Sequence, residues 1–328
     1  MHRPGGPQTA RRYPTPGHAG YNVAWSPFFP DKLAVASAAN YGLVGNGRLH
    51  VFGSAPAPVK MYDTQDGIFD VAWSEMHENQ IASAGGDGSI KLWDISLDDH
   101  PIRNWQEHSR EIFSLDWNNI QKELFASSSW DGSVKIWTPE RPSSIQTLPA
   151  HQGCVYKCAW SPHSATLLAT ASADGSARIF DLREGARPVT SVPVGGEVLA
   201  LDWNKYRPMT LATGSTDRAV KVWEARGGTA GPLAEKCVLV GHQYAVRNVA
   251  WSTYQSNVLA SASYDMTARV WNVDDATVTA QLPVVSTPRQ VYTGHREFVV
   301  GIAWSLFEPG VVATTSWDRE THVWPAMV

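Results

Sequence analysis

The chain has 328 residues, 15 of them Trp, and only 18% of it is Asp, Glu, Lys or Arg. A hydrophobic share of 43% is sufficient for a large core and argues against a disordered chain. The formal net charge of −4 does not favour a sequence-independent nucleic-acid binder, which normally carries a basic surface. Length alone predicts about two domains.

The residues before Gly17 are rich in Pro, Gly and Arg and include no apolar segment, so we expect no secretory signal. No run of 18 apolar residues is present, and the final Pro-Ala-Met-Val is not a peroxisomal Ser-Lys-Leu ending. Cys154, Cys158 and Cys237 are too few for a disulfide framework, and a zinc ion would need further ligands beside the first two. We therefore expect a soluble cytosolic protein with no metal and no other cofactor.

An apolar strand that ends in Trp and is followed by Ser or Asn recurs along the chain. Seven copies of this Trp are separated by intervals of 43 to 53 residues. They are Trp25, Trp73, Trp117, Trp160, Trp203, Trp251 and Trp304. A repeat of this length indicates an array of small structural units, so the expectation of two domains is abandoned.

A second block follows each Trp except the first. It consists of an Ala/Ser-rich strand, an Asp in a tight turn, and a strand that ends in Trp or Phe. The copies begin at Asp87, Asp131, Asp174, Asp217, Asp265 and Asp318. In the first repeat, a longer Gly-rich turn from Asn40 to Gly47 replaces the Asp turn.

Short strands separated by Gly, Asp and Ser turns, with a period of about 40–45 residues, are typical of the four-stranded blade of a WD-repeat propeller. The seven copies predict an all-β, seven-bladed propeller with four antiparallel strands in each blade. We expect this single domain to span residues 11–328, after a flexible tail of residues 1–10.

The last repeat ends after its third strand, at Trp324, so its outer strand must come from elsewhere. Residues 11–16 stand before Gly17 as residues 289–293 stand before Gly294. We therefore expect the N-terminal segment to pair with the last blade and close the ring. Pro14 is tolerable there, because an outer edge strand has one unpaired side.

Five His residues stand at the start of inner strands, and beside the turn Asp residues they could suggest catalysis. Catalytic groups need not recur in every blade, however. In WD-repeat proteins this His, the turn Asp, a strand Ser or Thr and the third-strand Trp form a buried hydrogen-bond network, which we expect here. Blades 2 and 5 lack the His. The five are His18, His108, His151, His242 and His295.

The inner-strand Trp residues are expected to pack between adjacent blades. That leaves Trp105, Trp130 and Trp317 without an explanation from the repeat.

Three positions of each repeat are expected to crowd one rim of the central channel. Four residues before the inner-strand Trp stand Tyr21, Phe69, Phe113, Tyr156, Leu199, Arg247 and Val300. Six residues before it stand Ala19, Gly67, Glu111, Cys154, Glu197, Ala245 and Phe298. Directly before the turn Asp stand Gly86, Trp130, Ala173, Thr216, Tyr264 and Trp317.

This rim is rich in aromatic residues and carries several carboxylates but few basic residues. An apolar surface with a few convergent charges is typical of a recognition site, and its acidity favours a cationic partner such as an amphipathic helix with basic ends. Alternatively, some of the aromatic side chains pack blades together on variable turns. The charged residues are Asp66, Glu111, Glu197, Glu297, Arg110 and Arg247.

Several stretches resemble the peroxin 7 family, the receptors for the type-2 peroxisomal targeting signal, and the resemblance extends from about Gly17 to Trp324. Residues 40–47 (Asn-Tyr-Gly-Leu-Val-Gly-Asn-Gly) resemble the unusual first-blade turn of that family. Residues 66–75 (Asp-Gly-Ile-Phe-Asp-Val-Ala-Trp-Ser-Glu) resemble its second blade. Residues 107–114, 129–131 and 264–265 are similar to it as well.

The resemblance implies a cargo receptor and not an enzyme. That family binds an N-terminal nine-residue signal on enzymes of the peroxisome matrix, as an amphipathic helix that begins Arg/Lys-Leu/Val/Ile and ends His/Gln-Leu/Ala. It works with a co-receptor that helps to cover the signal and docks the complex on the import machinery of the peroxisome membrane. The receptor would be cytoplasmic and would shuttle to the peroxisome membrane and matrix.

The resemblance and the rim together suggest where the signal lies. We expect its basic end against Asp66 and Glu111, where blades 2 and 3 meet, with Glu197 and Glu297 as weaker candidates. The expected apolar lining is Tyr21, Phe69, Phe113, Trp130, Tyr156, Tyr264 and Trp317.

Two other classes of function remain open at this point. Many WD-repeat proteins are adaptors in ubiquitin ligases or chromatin complexes, and an acidic rim could also hold a basic histone tail. Catalysis is disfavoured, because the sequence has no nucleophile elbow, phosphate-binding Gly loop or metal-ligand motif. We expect neither nucleic-acid binding nor direct insertion into a membrane.

Overall fold

Seven sheets, each of four antiparallel strands, are arranged as the seven blades of a β-propeller. The computed structural model describes residues 10–98, 100–225, 232–275 and 287–328. The predicted fold class is confirmed. One turn of 3-10 helix, Asn40–Gly42, lies in the first-blade turn. Across the described ranges, none of the helical structure is long and apolar enough to cross a bilayer.

Each blade contributes an inner, a second, a third and an outer strand. The inner strands are His18–Trp25, Ile68–Trp73, Ile112–Trp117, Val155–Trp160, Val198–Trp203, Val246–Trp251 and Val299–Trp304. The second strands are Leu33–Ala39, Gln80–Gly85, Phe125–Ser129, Leu167–Ser172, Thr210–Ser215, Val258–Ser263 and Val311–Ser316. The third strands are Gly47–Phe52, Ser89–Asp94, Val134–Trp137, Ser176–Asp181, Ala219–Ala225, Ala268–Asn272 and Glu320–Pro325. The outer strands of blades 1 to 6 are Pro58–Thr64, Arg103–Gln106, Gln146–Leu148, Pro188–Pro193, Leu233–Val240 and Gln290–Tyr292.

The outer strand of blade 7 is the N-terminal strand Arg11–Pro14, as predicted. It pairs antiparallel with Glu320–Pro325, the third strand of that blade. Tyr13 in this strand is 4% exposed and its ring lies 5.2 Å from that of Phe52 in blade 1. The closing strand therefore completes one blade and also packs against the next one.

Of the predicted tail, residues 1–10, only Ala10 is among the described residues. It is half-buried against the hydrophobic cluster between blades 6 and 7. The extent of the tail stays a prediction.

The hydrophobic core of the described residues consists of seven clusters, one at each seam between adjacent blades. The inner-strand Trp residues pack in these seams, and four of the seven also donate a hydrogen bond across a seam. Trp73 donates its indole hydrogen bond to the carbonyl of Ala24 in the preceding blade, at 3.1 Å. Trp25 donates to Ala303 across the seam where the ring closes, at 3.4 Å. The predicted packing of these residues between blades is confirmed.

Trp105, which the repeat did not explain, also joins two blades. It lies buried in the outer strand of blade 2 and donates its indole N–H, at 2.8 Å, to the carbonyl of Arg141 on the loop between the third and outer strands of blade 3. Its ring packs 5.5 Å from that of Phe125 in blade 3. Trp105 is therefore a structural residue.

The buried hydrogen-bond network forms in full in blades 3, 6 and 7. In blade 7, His295 contacts the carboxylate of Asp318 at 3.0 Å and the hydroxyl of Thr314 at 2.9 Å. Trp324 donates to the same hydroxyl at 3.1 Å. Blade 4 has the His, Asp and Thr of the network, but Phe180 replaces the Trp.

The prediction that His18 takes part in such a hydrogen-bond network is wrong. This residue begins the inner strand of blade 1, and its Nδ1 lies 3.2 Å from the carbonyl of Pro16. The physical reason is the replaced turn, because residues 40–47 supply no Asp that could accept a hydrogen bond from the ring. Blade 1 instead places the buried His50 within 3.2 Å of the hydroxyl of Ser37.

Deleting residues 1–17 should lower the melting temperature sharply, because it removes the strand that closes the ring. Burying an aromatic side chain such as Tyr13 contributes about 3–5 kcal/mol. In a protein of this size that corresponds to a fall of about 10 °C. Differential scanning calorimetry gives the measurement. Deleting only residues 1–9, which stops short of the strand, is the control, and equal melting temperatures of the two variants would contradict closure by this strand.

Replacing Asp318 by Asn should destabilise the protein by about 1–3 kcal/mol at pH 7, because the network loses its charged acceptor. Burial opposes the charge of Asp318, but hydrogen bonds from His295 and from two backbone N–H groups outweigh it and lower its pKa to about 2. The charged form therefore stabilises the fold above the unfolded-state pKa of about 3.9, and this contribution is lost as the pH falls toward 2.

Urea unfolding at pH 7, 4 and 2.5 tests this expectation. The stability of the wild type should fall more steeply with acid than that of Asp318→Asn. Replacing the exposed Asp31 by Asn is the control and should keep the wild-type slope. The same acid dependence in all three proteins would show that Asp318 is not a stabilising charge.

Candidate functional site

Two of the three predicted rim positions are joined by a backbone hydrogen bond in six of the blades. The N–H of the residue before the turn Asp donates to the carbonyl of the residue six before the inner-strand Trp. Trp130 donates in this way to Glu111 at 3.0 Å, and Trp317 donates to Phe298 at 3.1 Å. In each of these blades, the turn that leads into the inner strand and the turn that follows the second strand are thereby held together at one end. The structure therefore does bring these positions to one rim.

A β-bulge orients the side chain at the remaining rim position, four residues before the inner-strand Trp. The inner strand of every blade shows a register shift four residues before its Trp, so the residue at that position has no direct partner on the second strand. A bulge of this kind bends the strand and redirects a side chain. The residues at the seven bulges are Tyr21, Phe69, Phe113, Tyr156, Leu199, Arg247 and Val300.

The aromatic residues of the rim form a continuous arc over blades 6, 7, 1, 2, 3 and 4. Neighbouring ring centroids along the arc are 4.6 to 6.4 Å apart. Aromatic pairs attract each other at this spacing. The aromatic arc consists of Tyr264, Phe298, Trp317, Tyr21, Phe69, Phe113, Trp130 and Tyr156.

The two middle members of the aromatic arc are more buried than the others. Tyr21 is 9% exposed and Phe69 is 6% exposed, whereas Phe113, Trp130 and Trp317 are half-buried. Tyr21 and Phe69 therefore pack mainly between blades 1 and 2 and add little exposed area to the rim. This agrees with the alternative that some of the rim aromatic residues pack blades together. Burial raises the pKa of Tyr21 well above its usual value.

Tyr41 extends the aromatic arc, and its position within the first-blade turn gave no signal of this role. Its ring lies 5.6 Å from that of Trp317, and its carbonyl accepts a hydrogen bond from the hydroxyl of Tyr21 at 2.6 Å. The next residues of the turn, Leu43 and Val44, are 84% and 74% exposed. Alignment of the blades could not place Tyr41, because no other blade has a turn of this length.

Asp66 lies at the rim beside Phe69. Its Oδ1 accepts a hydrogen bond from the N–H of Gly67 at 2.7 Å. Gly86 occupies the third rim position of blade 2, where a Cβ atom would stand 3.0 Å from Asp66 Oδ1 and 3.1 Å from the Phe69 ring. A side chain at Gly86 would therefore crowd the Asp66 carboxylate.

The other three carboxylates occupy different surroundings. Glu111 forms an ion pair with Arg110 at 3.5 Å, and this guanidinium lies 5.4 Å above the ring of Trp130. Glu197 accepts a hydrogen bond from the hydroxyl of Tyr156 at 3.3 Å. Glu297 lies in blade 7, beside Phe298 and on the far side of blade 1 from Asp66. Asp66, Glu111 and Glu197 thus follow one side of the rim, and Glu297 stands apart from them.

A belt of polar side chains lies across the central channel one layer below the rim. Asn22 donates to the carboxylate of Asp70, which also accepts from the backbone N–H of Leu115 at 2.8 Å. Lys157 lies 3.6 Å from the same carboxylate, and Asn248 donates to Asn22 at 3.4 Å. This polar belt links the inner strands of blades 6, 1, 2, 3 and 4 beneath the rim.

A cavity of about 320 Å³ lies on the other side of the polar belt. Its lining includes the belt residues and six of the seven inner-strand Trp residues but no member of the aromatic arc. It includes Asp116, whose pKa burial raises to about 7. The cavity therefore belongs to the opposite face of the propeller, and the rim is a separate surface that is suited to binding a polypeptide.

Comparison with protein-family models identifies the repeats. The model described as "WD domain, G-beta repeat" matches residues 57–94, 99–138, 142–181, 188–224, 235–272 and 286–325. These matches cover more than half of the chain. The first three strands of blade 1 lie outside them, which agrees with the unusual turn in that blade.

Several curated proteins are similar to parts of the chain. A protein of Komagataella phaffii named "Peroxisomal targeting signal 2 receptor" is 48% identical over 106 residues, which are 31% of this chain and 28% of that protein. "Peroxisome biogenesis protein 7" of Arabidopsis thaliana is 47% identical over 100 residues, 28% of this chain and 32% of that protein. A human "Peroxisomal targeting signal 2 receptor" is 39% identical over 106 residues, 31% and 33% of the two chains. The alignments thus span about a third of each relative.

A receptor of this kind is a non-enzymatic protein.

Proposed function

This chain belongs to the WD-repeat family, and we propose that it is a receptor for the type-2 peroxisomal targeting signal, which binds as an amphipathic helix on the rim. The observation that carries the proposal is the aromatic arc with carboxylates beside it in blades 2 and 3, on a chain similar to proteins named for this role. The finer assignments of residues rest on physical complementarity.

The basic end of the signal would lie against Asp66 and Glu111. These residues belong to neighbouring blades whose aromatic residues Phe69 and Phe113 stack at 4.6 Å. A carboxylate of this kind attracts an Arg or Lys side chain, and the attraction strengthens where the bound helix excludes water. Glu197 extends the acidic side of the rim into blade 5, and Glu297 is the most distant candidate.

The apolar side of the signal would cover the aromatic arc. A nine-residue helix is about 14 Å long, at about 1.5 Å per residue. Phe113, Trp130 and Tyr156 lie within 6.2 Å of one another and present half-buried rings. Trp317 and Tyr264 continue this surface on the other side of the channel. Half-buried aromatic rings provide a large apolar contact area, which is typical of sites that bind an amphipathic helix.

A co-receptor would complete the site and connect it to transport. A helix that lies on an open rim keeps one side in water, and a second protein can cover that side. In this proposal, the loaded complex forms in the cytoplasm and docks on the import machinery of the peroxisome membrane. The cargo then enters the matrix, and the receptor shuttles between cytoplasm and peroxisome.

A fluorescence titration of the purified protein with a labelled signal peptide, with and without the co-receptor, tests the proposed function. We expect the peptide to bind and a variant whose first Arg is Ala to bind more weakly. A basic histone-tail peptide of the same net charge controls for simple charge attraction. Equal affinity for both signal peptides, or tighter binding of the histone tail, would refute the proposal and favour an adaptor for basic peptides.

Replacing Glu111 by Lys should weaken signal binding about tenfold, or about 1.4 kcal/mol, and leave folding intact. The change introduces a positive charge and also releases Arg110 from its ion pair. The loss should shrink as salt rises from about 0.05 to 0.5 M, because salt screens exposed charges. Isothermal titration calorimetry at both salt concentrations gives the measurement.

Replacing Glu184 by Lys is the matched control for this change of charge. Glu184 is exposed on the loop between the third and outer strands of blade 4, away from the rim. We expect this variant to bind like the wild type. The same loss of affinity in both variants, or none in Glu111→Lys, would remove Glu111 from the site.

A further inference from the structure

We propose that Arg247 selects the residue at the middle of the bound peptide, favouring an acidic or neutral side chain there and rejecting a basic one. This inference rests on the proposed function, because it concerns the same rim. In the proposed function, Asp66 and Glu111 attract the basic end of the peptide. Arg247 would add a preference of opposite sign, against a basic side chain at the middle of the peptide.

Arg247 stands at the bulge of blade 6, where other blades have aromatic or aliphatic residues. Its guanidinium carbon lies 5.8 Å from the ring of Phe113, which belongs to blade 3 on the opposite side of the channel. Its Nη1 donates to the carbonyl of Leu199 at 3.3 Å. The side chain therefore extends over the channel mouth and places a positive charge near the centre of the rim.

The guanidinium also lies within electrostatic reach of two members of the aromatic arc. Burial raises the pKa of Tyr21 and of Tyr156, and the charge of Arg247 acts on both phenols in the opposite direction. These two residues belong to blades 1 and 4. A ligand that touches the aromatic arc from several blades must therefore pass close to Arg247.

Arg247 has no carboxylate partner within 4.0 Å among the described residues. Three other Arg residues near the turns do have a carboxylate partner: Arg110 pairs with Glu111 at 3.5 Å, Arg178 with Asp174 at 3.2 Å and Arg269 with Asp265 at 3.6 Å. The half-buried guanidinium of Arg247 has one carbonyl acceptor, although a guanidinium carries five N–H donors.

A peptide that covers the rim would remove water from these remaining donors. Removing water from a charged group is unfavourable unless another acceptor replaces it. A Glu or Asp of the peptide, or a backbone carbonyl, can be that acceptor, whereas a Lys or Arg adds repulsion. The rim therefore has a sign pattern: it is acidic in blades 2 and 3 and basic at the centre. This pattern favours one orientation of a peptide whose charges are unevenly placed.

A charge scan of the signal peptide tests the proposal. Lys, Ala and Glu are placed in turn at each of the five residues between the two conserved ends, and affinities are measured by fluorescence anisotropy. For at least one position, wild-type protein should bind the Glu peptide most tightly and the Lys peptide about tenfold more weakly or worse. Arg247→Gln should abolish this order, and Arg247→Glu should reverse it.

Arg296→Gln is the matched control, because Arg296 is a 74% exposed residue before the inner strand of blade 7. It should keep the wild-type order of affinities. Thermal unfolding of each variant separates a binding effect from a loss of fold. Should Arg247→Gln be unfolded, the wild-type scan still decides, since equal affinities for the three peptides at every position would overturn the proposal.

The failures of the two proposals are distinguishable. Wild-type protein that does not bind the parent signal at all would refute the receptor function and this inference with it. Binding of the parent signal together with an unchanged order of affinities in Arg247→Gln would refute only the role of Arg247.

Discussion

Each blade has apolar side chains on both of its faces, and they can be buried only against its two neighbours, so the fold depends on closure of the ring. The N-terminal strand Arg11–Pro14 meets this constraint by completing the last blade. Its Tyr13 also packs on Phe52 of the first blade, and Trp25 donates to Ala303 across the same seam. The most distant parts of the sequence thus meet where an open ring would expose two apolar surfaces.

Closure also separates the residues that build the ring from those that can recognise a ligand. The inner-strand Trp residues bury their indoles in the seams, which leaves them no part in the rim. The bulge four residues earlier turns one side chain per blade toward the channel mouth. The same irregularity therefore presents Phe113, Tyr156 and Arg247 to one surface, although they come from three separate blades. Because these three bulge residues are only half-buried, variation at them can alter recognition at less cost to the fold than variation at the seams.

Sequence reasoning predicted features that depend on the repeat period and on local pairing: the seven blades, closure by the N-terminal strand and the arrangement of the rim. It failed at His18, because a network needs an Asp that the first-blade turn does not supply. It also missed Tyr41, since no other blade offers a turn of that length for alignment. Sequence reasoning also did not predict that Arg247 of blade 6 approaches Phe113 of blade 3. Alignment of the repeats shows which positions are equivalent, but it does not show which side chains meet across the channel.

The polar belt below the rim has a consequence for how a ligand can leave. Asn22, Asp70, Lys157 and Asn248 form hydrogen bonds and an ion pair across the channel, and the cavity behind them opens to the opposite face. These contacts run across the channel from blade 6 through blades 1 and 2 to blade 4. A peptide bound on the rim would meet these paired side chains below it, so we infer that it would enter and leave from the same face. A partner that covered a peptide bound on that face would therefore have to withdraw before the peptide could leave.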